Sequence, residues 1–179
     1  MDTTTWKLLR KVHLIDVRAF LAINASPRHH DLCHGARLVS RTGDGWLYPL
    51  APLLCLGVEP ALAQGFFLAL ASALLIERLL YLVLKKGLRR NRPPQAIPGF
   101  RAQITASDEF SFPSGHTSAA FLFASVCCYC FGPGCAPLFL WAAAVGASRV
   151  VLGVHFPTDI LAGATMGCSV ALAICGELA

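Results

Sequence analysis

Long apolar runs separated by short polar segments limit what this chain can fold into. Residues 62–84, 114–131, 135–154 and 157–176 each approach the length of about 20 residues that a helix needs to cross a bilayer, and a shorter run, 46–58, precedes them. Backbone inside lipid must satisfy its own polar groups, so such runs form helices. The sequence therefore predicts an all-α integral membrane bundle with about five transmembrane helices, or six if part of the N-terminal segment also spans.

The composition supports a membrane protein and excludes other classes. Apolar residues make up 55% of the chain and charged residues only 14%, against about 25% charged residues in a typical soluble domain. The formal net charge is +5, which in so apolar a chain favours anionic lipid or phosphate as the partner. We expect a lipid bilayer and no nucleic acid as partners. The sequence specifies no oligomeric state.

The first 43 residues have a different pattern from the rest. Within residues 5–24, apolar side chains recur at three- and four-residue steps among several charges, which predicts an amphipathic helix in the membrane interface. Residues 27–41 predict a second short amphipathic helix, which ends at the turn Gly43-Asp44-Gly45. We therefore divide the chain into an amphipathic segment, residues 1–43, and a membrane domain, residues 44–179.

Cysteine and histidine clusters outside the polar motifs suggest no metal site. Most of the eight cysteines lie inside apolar runs, where small soft side chains pack between membrane helices. A zinc site would combine such spacing with polar loops and histidines. The tract His29, His30 and His34 is interpreted as a solvated face of the second amphipathic helix. We expect neither a metal nor a cofactor.

Three short polar segments interrupt the apolar part of the chain. They are Lys85-x6-Arg92-Pro93, Pro113-Ser114-Gly115-His116 and Ser148-Arg149-x5-His155-x3-Asp159. Each lies at the end of one predicted span or the start of the next. Because consecutive spans alternate in direction, the sequence predicts that all three segments meet on one membrane face.

Several residue types in these segments suit a phosphate group. Lys85, Arg92 and Arg149 supply cations, and the arginine fork matches phosphate oxygens in a bidentate manner. Ser114 and Gly115 begin a helix, where free backbone N–H groups and the helix dipole favour an anion. The segments therefore predict a phosphate-binding site.

Two histidines and a carboxylate add reactive groups to this site. Histidine suits both nucleophilic and general-acid catalysis near neutral pH, so His116 and His155 are candidates. Asp159, four residues after His155, can accept a hydrogen bond from one ring nitrogen and leave the other free to attack. Fixed cations can stabilise the charge of phosphoryl transfer where no metal ion is present.

Together the three motifs resemble the three-part signature of the type 2 phosphatidic acid phosphatase and vanadium haloperoxidase superfamily, over roughly residues 44–176. The resemblance implies that His155 is a nucleophile forming a phosphohistidine, that Asp159 orients it and that His116 protonates the leaving group. It further implies that the phosphate oxygens are held, without a metal, by Lys85, Arg92, Ser114, Gly115 and Arg149.

We therefore expect a metal-independent phosphatase that hydrolyses a phosphomonoester or diphosphate of a membrane lipid. Small bacterial relatives act on undecaprenyl diphosphate, phosphatidylglycerophosphate or phosphatidate, and no feature of the sequence selects among them. Two alternatives are a vanadate-binding haloperoxidase-like enzyme and a non-catalytic protein that binds lipid phosphates. The apolar spans disfavour the first, and the intact His155, His116 and Asp159 disfavour the second.

The resemblance predicts a bacterial inner membrane protein whose active site faces the extracytoplasmic side. In the five-span arrangement every Lys and Arg except Arg78 falls on the active-site side, which by the positive-inside rule favours the cytoplasm. The basic residues Lys86, Arg89 and Arg90 are interpreted as an interfacial anchor. Glu77 and Arg78, inside a span, are expected to pair with partners in the bundle.

Overall fold

Helices account for all the regular structure in the part of the chain that is described. The computed structural model describes residues 3–26, 29–57 and 59–177, with no strand among them. The helices are α1 (Thr3–Asn24), α2 (His29–Thr42), α3 (Leu50–Leu56), α4 (Pro60–Leu88), α5 (Pro93–Ala96), α6 (Gly115–Phe131), α7 (Leu138–Val151) and α8 (Pro157–Glu177), and a 3-10 turn, Pro133–Cys135, precedes α7. The predicted all-α class is confirmed.

Four helices form the membrane bundle. The segments Pro60–Ala96, Pro133–Val151 and Pro157–Glu177 are each long and apolar enough to cross a bilayer. Helix α6 is also apolar but has 17 residues, roughly 25 Å of helix at 1.5 Å per residue. It packs against α4, α7 and α8, so it lies at the centre of the bundle.

The predicted span at residues 46–58 differs from the observed structure. Its helical part is α3, Leu50–Leu56, with seven residues. A helix of this length measures roughly 10 Å, a third of the hydrocarbon core of about 30 Å. Residues 46–49 form turns that end in Pro49, so the helix starts too late to span, and α3 packs on α4 instead. Residue 58, like residues 27 and 28 of the predicted second helix, lies outside the described residues.

Close packing of α8 against α6 depends on two glycines. A Cβ atom at Gly163 would lie 2.5 Å from the carbonyl oxygen of Ser114, and one at Gly167 would overlap that of Ser118. Small residues at such positions let two helix backbones approach each other. The contact at Gly163 also fixes the start of α6, where the second polar motif lies.

Replacing Gly163 by alanine should therefore destabilise the bundle. The added methyl group meets backbone rather than a flexible side chain, so we expect a loss of about 1–3 kcal/mol of unfolding free energy. A thermal melt in detergent would record it as a lower Tm. Gly176→Ala on the same helix is the control, since nothing lies within 4 Å of its added Cβ. Equal Tm values for the two variants would contradict the packing argument.

The two N-terminal helices pack on the bundle near the polar motifs. On α1, Phe20 is fully buried and its ring contacts those of Phe100 and Phe156. The Asn24 side chain donates a hydrogen bond of 3.2 Å to the carbonyl oxygen of Val150 at the end of α7. Helix α2 runs along α7. Both predicted amphipathic helices are present.

The helix ends bring the three polar motifs to one end of the bundle. Helices α4 and α7 end there, and α6 and α8 begin there. The Ser114 N–H donates to the carbonyl oxygen of Asp159 at 3.1 Å. Arg92 Nη1 donates to the carbonyl oxygen of Val154 at 2.6 Å. The convergence predicted from alternating spans is therefore observed in the fold.

Candidate active site

A cavity of about 620 Å³ opens at this end of the bundle. All three motifs contribute to its lining, through Lys85, Arg92, Gly115, His116, Arg149 and His155. Asp159 and Ser114 are fully buried directly behind that lining. The structure thus brings the predicted site residues together, with Ser114 set back from the cavity surface.

His155 occupies the turn between α7 and α8 and is 2% exposed. Its Nε2 atom lies 3.4 Å from Arg92 Nη1. A guanidinium can only donate hydrogen bonds, so this contact requires the lone pair of Nε2 and leaves the ring proton on Nδ1. Burial lowers the pKa of His155 to about 4, an effect that Asp159 opposes and Arg92 reinforces. The ring is therefore neutral at physiological pH, which is the form a nucleophile needs.

Asp159 is held in place behind the His155 ring. Its Oδ2 lies 3.5 Å from His155 Nδ1, a long contact of the kind that tightens when a substrate binds. The same oxygen accepts from the Phe156 N–H at 2.8 Å, and Oδ1 accepts from Arg90 Nη1 at 2.7 Å. Asp159 can thus orient His155 and stabilise positive charge on its ring.

Arg90 extends this network to the N-terminal helix α1. Its Nη2 lies 2.5 Å from Asp16 Oδ2, and Asp16 Oδ1 accepts from the Thr158 N–H at 3.0 Å. The interpretation of Arg90 as an interfacial anchor is therefore wrong, whereas Lys86 and Arg89 are exposed. Sequence reasoning missed that Arg90 links Asp159 to Asp16, because Asp16 lies 74 residues away from Arg90 in a segment with no motif.

Asp108 is a second carboxylate, besides Asp16, that sequence reasoning missed. It belongs to the loop between α5 and α6, and its Oδ2 accepts from Lys85 Nζ at 2.6 Å. Its Oδ1 pairs with Arg92 Nη2, and Tyr81 Oη also donates to the carboxylate. Burial opposes ionisation of Asp108, but the hydrogen bonds from Lys85 and Tyr81 prevail and lower its pKa to about 2. The Asp108 carboxylate is thus paired with both cations of the first motif, Lys85 and Arg92.

Among the described cations of the three motifs, Arg149 is the one that keeps a donor without a hydrogen-bond partner. Its Nη1 donates to Ser40 Oγ on α2 at 2.6 Å. Its Nε has no hydrogen-bond partner within the described ranges, and the side chain lines the cavity beside His155. Arg149 can therefore donate to an oxyanion bound there.

His116 lies in the first turn of α6, on the cavity wall. Its Nε2 lies 3.0 Å from Asp44 Oδ1, so Asp44 is more than the turn residue inferred from its flanking glycines. The side chain of Ser114 forms a hydrogen bond with Thr117 Oγ1 at 2.9 Å. Gly115 is in contact with Tyr81, since an added Cβ would lie 2.9 Å from that ring. Only glycine fits at this point of the wall.

Comparison with known proteins identifies the family. The family model described as PAP2 superfamily matches residues 66–176, which hold all three motifs. The chain belongs to the PAP2 superfamily. This confirms the resemblance to type 2 phosphatidic acid phosphatases drawn from the motifs.

Named relatives of this PAP2 protein are phosphatases. It is 31% identical over 140 residues to the decaprenylphosphoryl-5-phosphoribose phosphatase of Mycolicibacterium smegmatis, covering 72% of this chain and 69% of that one. It is 37% identical over 103 residues to phosphatidylglycerophosphatase B of Bacillus subtilis, covering 51% of this chain and 47% of the relative. The chain thus spans about half the length of the second relative.

Two solved structures share the fold of this PAP2 protein. The crystal structure of Aquifex aeolicus LpxE has a TM-score of 0.71 and 27% identity, covering 89% of this chain and 94% of that one. A transmembrane PAP2-type phosphatidylglycerolphosphate phosphatase from Bacillus subtilis has a TM-score of 0.69 and 26% identity, with coverage of 93% and 86%. The predicted enzyme class, a membrane-embedded phosphoric monoester hydrolase, is confirmed.

Asp108→Asn should strengthen the binding of inorganic phosphate. In the observed arrangement an anion must displace the Asp108 carboxylate from Lys85 and Arg92. An amide binds these cations less strongly, because hydrogen bonds to charged groups contribute about 1.5–3 kcal/mol. We expect the inhibition constant of phosphate to fall roughly tenfold or more. The neighbouring Glu109→Gln, at an exposed site, is the control, and weaker phosphate binding by Asp108→Asn would contradict the argument.

Proposed function

We propose that this protein is a metal-independent lipid phosphatase that forms a phosphohistidine at His155. One observation supports this most directly, namely the position of the buried His155 at the wall of the cavity, with Asp159 Oδ2 3.5 Å from its Nδ1 and Arg92 Nη1 3.4 Å from its Nε2. The network from Asp16 through Arg90 to Asp159 supports the ring from the opposite side. The same cavity wall carries the remaining cations and His116.

In the first step the Nε2 lone pair attacks phosphorus, and the bond between phosphorus and the leaving-group oxygen breaks. His116 gives a proton to that oxygen, which leaves as an alcohol or as a lipid phosphate. Asp159 stabilises the positive charge on the His155 ring, and Lys85, Arg92 and Arg149 stabilise the phosphoryl oxygens. In the second step His116 takes a proton from water, the water attacks phosphorus and the N–P bond breaks, releasing inorganic phosphate.

The position of the cavity supports a lipid substrate. Besides the polar motifs, the cavity is lined by Leu74 and Leu75 of the spanning helix α4, so it continues from the helix ends into the apolar part of the bundle. A phosphate at His155 can therefore keep its tail in the bilayer. By their names, the relatives act on decaprenylphosphoryl-5-phosphoribose and on phosphatidylglycerophosphate.

Phosphate release in detergent micelles containing EDTA tests the proposal. Undecaprenyl diphosphate, phosphatidylglycerophosphate and phosphatidate would be compared for the parent protein and for His155→Ala. We expect release that survives EDTA and disappears in the variant. No release from any of the three lipids by folded protein, or release that EDTA abolishes, would overturn the proposal.

We further propose that the active site faces the extracytoplasmic side of a bacterial inner membrane, as the family resemblance implies. The basic residues near the site favour the opposite orientation by the positive-inside rule. Reporter fusions in the loop at residues 94–109 and at the C terminus distinguish the two orientations. A cytoplasmic loop would overturn this assignment.

A further inference from the structure

A second cavity, of about 670 Å³, opens beside the first at the same end of the bundle. It lies between α2, the loop that precedes α6 and the end of α7. The two cavities share the lining residues Asp44, Ser107, His116 and Arg149. Among the described residues, His155 and those of α4 line the first cavity and not the second. The active site therefore has a second side, away from the spanning helix α4.

Arginine dominates the charge of the second cavity. Arg37 and Arg41 lie one turn apart on α2, about 6 Å along its axis, and Arg149 lies at the boundary with the first cavity. Among the described lining residues these three arginines are accompanied by one carboxylate, Asp44, whereas the described lining of the first cavity has four Lys and Arg side chains and three carboxyl groups. Helix α2 lies outside the matched residues 66–176, so its arginines belong to none of the three motifs.

Hydrogen bonds fix the walls of the second cavity. Arg37 Nη2 donates to the carbonyl oxygen of Gln103 at 3.2 Å, and the Gln103 N–H donates to the carbonyl oxygen of Leu152 at 3.0 Å. The loop before α6 is thus tied both to α2 and to the end of α7. Ser40 of α2 is buried and accepts from Arg149 Nη1 at 2.6 Å. Helix α2 therefore both builds this cavity and holds Arg149 at its boundary.

The two products of the proposed reaction need different surroundings. The lipid product keeps an apolar tail, and the first cavity continues towards Leu74 and Leu75 of α4. Inorganic phosphate is an anion, and moving an unpaired ion past apolar side chains costs far more than moving a polar group. Arginine side chains on the second side can pair with its oxygens instead. Separate routes for the two products therefore suit the charges of the two cavities.

We infer that the second cavity is a phosphate-binding site through which inorganic phosphate leaves, while the lipid product stays on the α4 side. The inference rests on the proposed function, since the phosphate is the one released at His155. Arg149 lines both cavities and can pass the anion to Arg37 and Arg41. His116 also lines both cavities, so water for the second step can reach it by the same route.

A phosphate group can come to these arginines from two sources, namely free inorganic phosphate and the headgroup of a lipid that carries a second phosphate. Both would form the same charge-assisted hydrogen bonds. A headgroup phosphate stays joined to its tail, and the described residues of α4 line the first cavity alone. The structure thus favours free phosphate, and the experiment has one arm for each source.

Inhibition of phosphatidate hydrolysis by added inorganic phosphate tests the inference, with the dephosphorylated lipid as the measured product. Phosphate bound at His155 excludes the lipid, so it raises the apparent KM. Phosphate in the second cavity binds beside a bound lipid and blocks the route for water and product, so it lowers the apparent kcat. For the parent we expect both effects, each with its own inhibition constant.

Two variants remove the cations of the second cavity one at a time. Arg37→Gln and Arg41→Gln should each raise the inhibition constant that acts on kcat roughly tenfold and should change the constant that acts on KM much less. Both arginines are at least partly exposed, so the fold should tolerate their loss. Arg18→Gln is the control, because it removes the same charge from an exposed residue of α1 that lines neither cavity.

The outcomes separate this inference from the proposed function. Purely competitive inhibition of an active parent, or equal inhibition constants in all three variants, overturns the inference alone. In the second arm, phosphatidylglycerophosphate replaces phosphatidate. A higher KM for this lipid in Arg37→Gln and Arg41→Gln, with phosphate inhibition unchanged, assigns the cavity to the headgroup and overturns the exit route. Absence of phosphate release from every lipid overturns the proposed function and the inference with it.

Discussion

Replacing His155 by alanine should lower the turnover of every lipid phosphate by about 10⁴-fold or more, the size of effect seen when a catalytic nucleophile is removed. The cause is the loss of the proposed nucleophilic atom, His155 Nε2, which lies 3.4 Å from Arg92 Nη1 at the cavity wall. The cations and His116 remain in the variant, so phosphate should still bind. Initial rates of phosphate release measure the loss.

The control for this variant is His30→Ala, which removes an exposed histidine remote from the cavity and should leave the rate unchanged. A radiolabelled terminal phosphate should also become attached to the parent protein, and not to His155→Ala, when the reaction is stopped in alkali. Turnover by His155→Ala within tenfold of the parent would show that another group is the nucleophile.

Replacing His116 by alanine should reduce hydrolysis of lipid phosphates by roughly 10²–10⁴-fold, as expected for the loss of a general acid. The loss should depend on the leaving group. An aryl phosphate such as p-nitrophenyl phosphate has a leaving group that needs little protonation, so its first step should be much less affected. Single-turnover rates of formation of the labelled protein with the two substrates measure this difference.

Asp44→Asn is the companion to this variant, because Asp44 contacts His116 Nε2 at 3.0 Å. Because Asp44 positions His116 and does not touch the substrate, Asp44→Asn should lower the rate of hydrolysis less than His116→Ala does. The loss of rate should depend on the leaving group in the same way. Equal losses for lipid and aryl substrates in His116→Ala would remove the assignment of His116 as the acid.

Much of the active site could be predicted from the sequence because its groups stand at helix ends. Four apolar runs of near-membrane length correspond to the helices α4, α6, α7 and α8, and their alternating direction brings the ends together. Lys85, Arg92, His116, Arg149 and His155 all lie where this argument places them. The span predicted at residues 46–58 was wrong, since hydropathy alone does not show that turns delay α3 to Leu50.

The missed residues share a physical reason. Asp108 and Asp16 reach the site from segments that carry no motif, and their partners Lys85 and Arg90 are distant in sequence. Local patterns record periodicity and spacing within one element, whereas these ion pairs depend on how elements pack against one another. Glu77 was expected to have a partner because a buried charge usually does, but among the described residues neither of its oxygens has a hydrogen bond of standard geometry, although Ser118 and Arg78 lie near it.

The contact between α1 and Arg90 affects what counts as the smallest working enzyme. The family match covers residues 66–176 and contains every motif residue, yet Asp16, the carboxylate that faces Arg90 Nη2, lies far outside it. Without α1, Arg90 would keep Asp159 as its carboxylate partner among the described residues but lose Asp16. Arg90 and His155 would then compete for the negative charge of Asp159. A fragment trimmed to the matched region would thus keep every signature residue but lose the contact that holds Arg90, and through it Asp159, behind the proposed nucleophile His155.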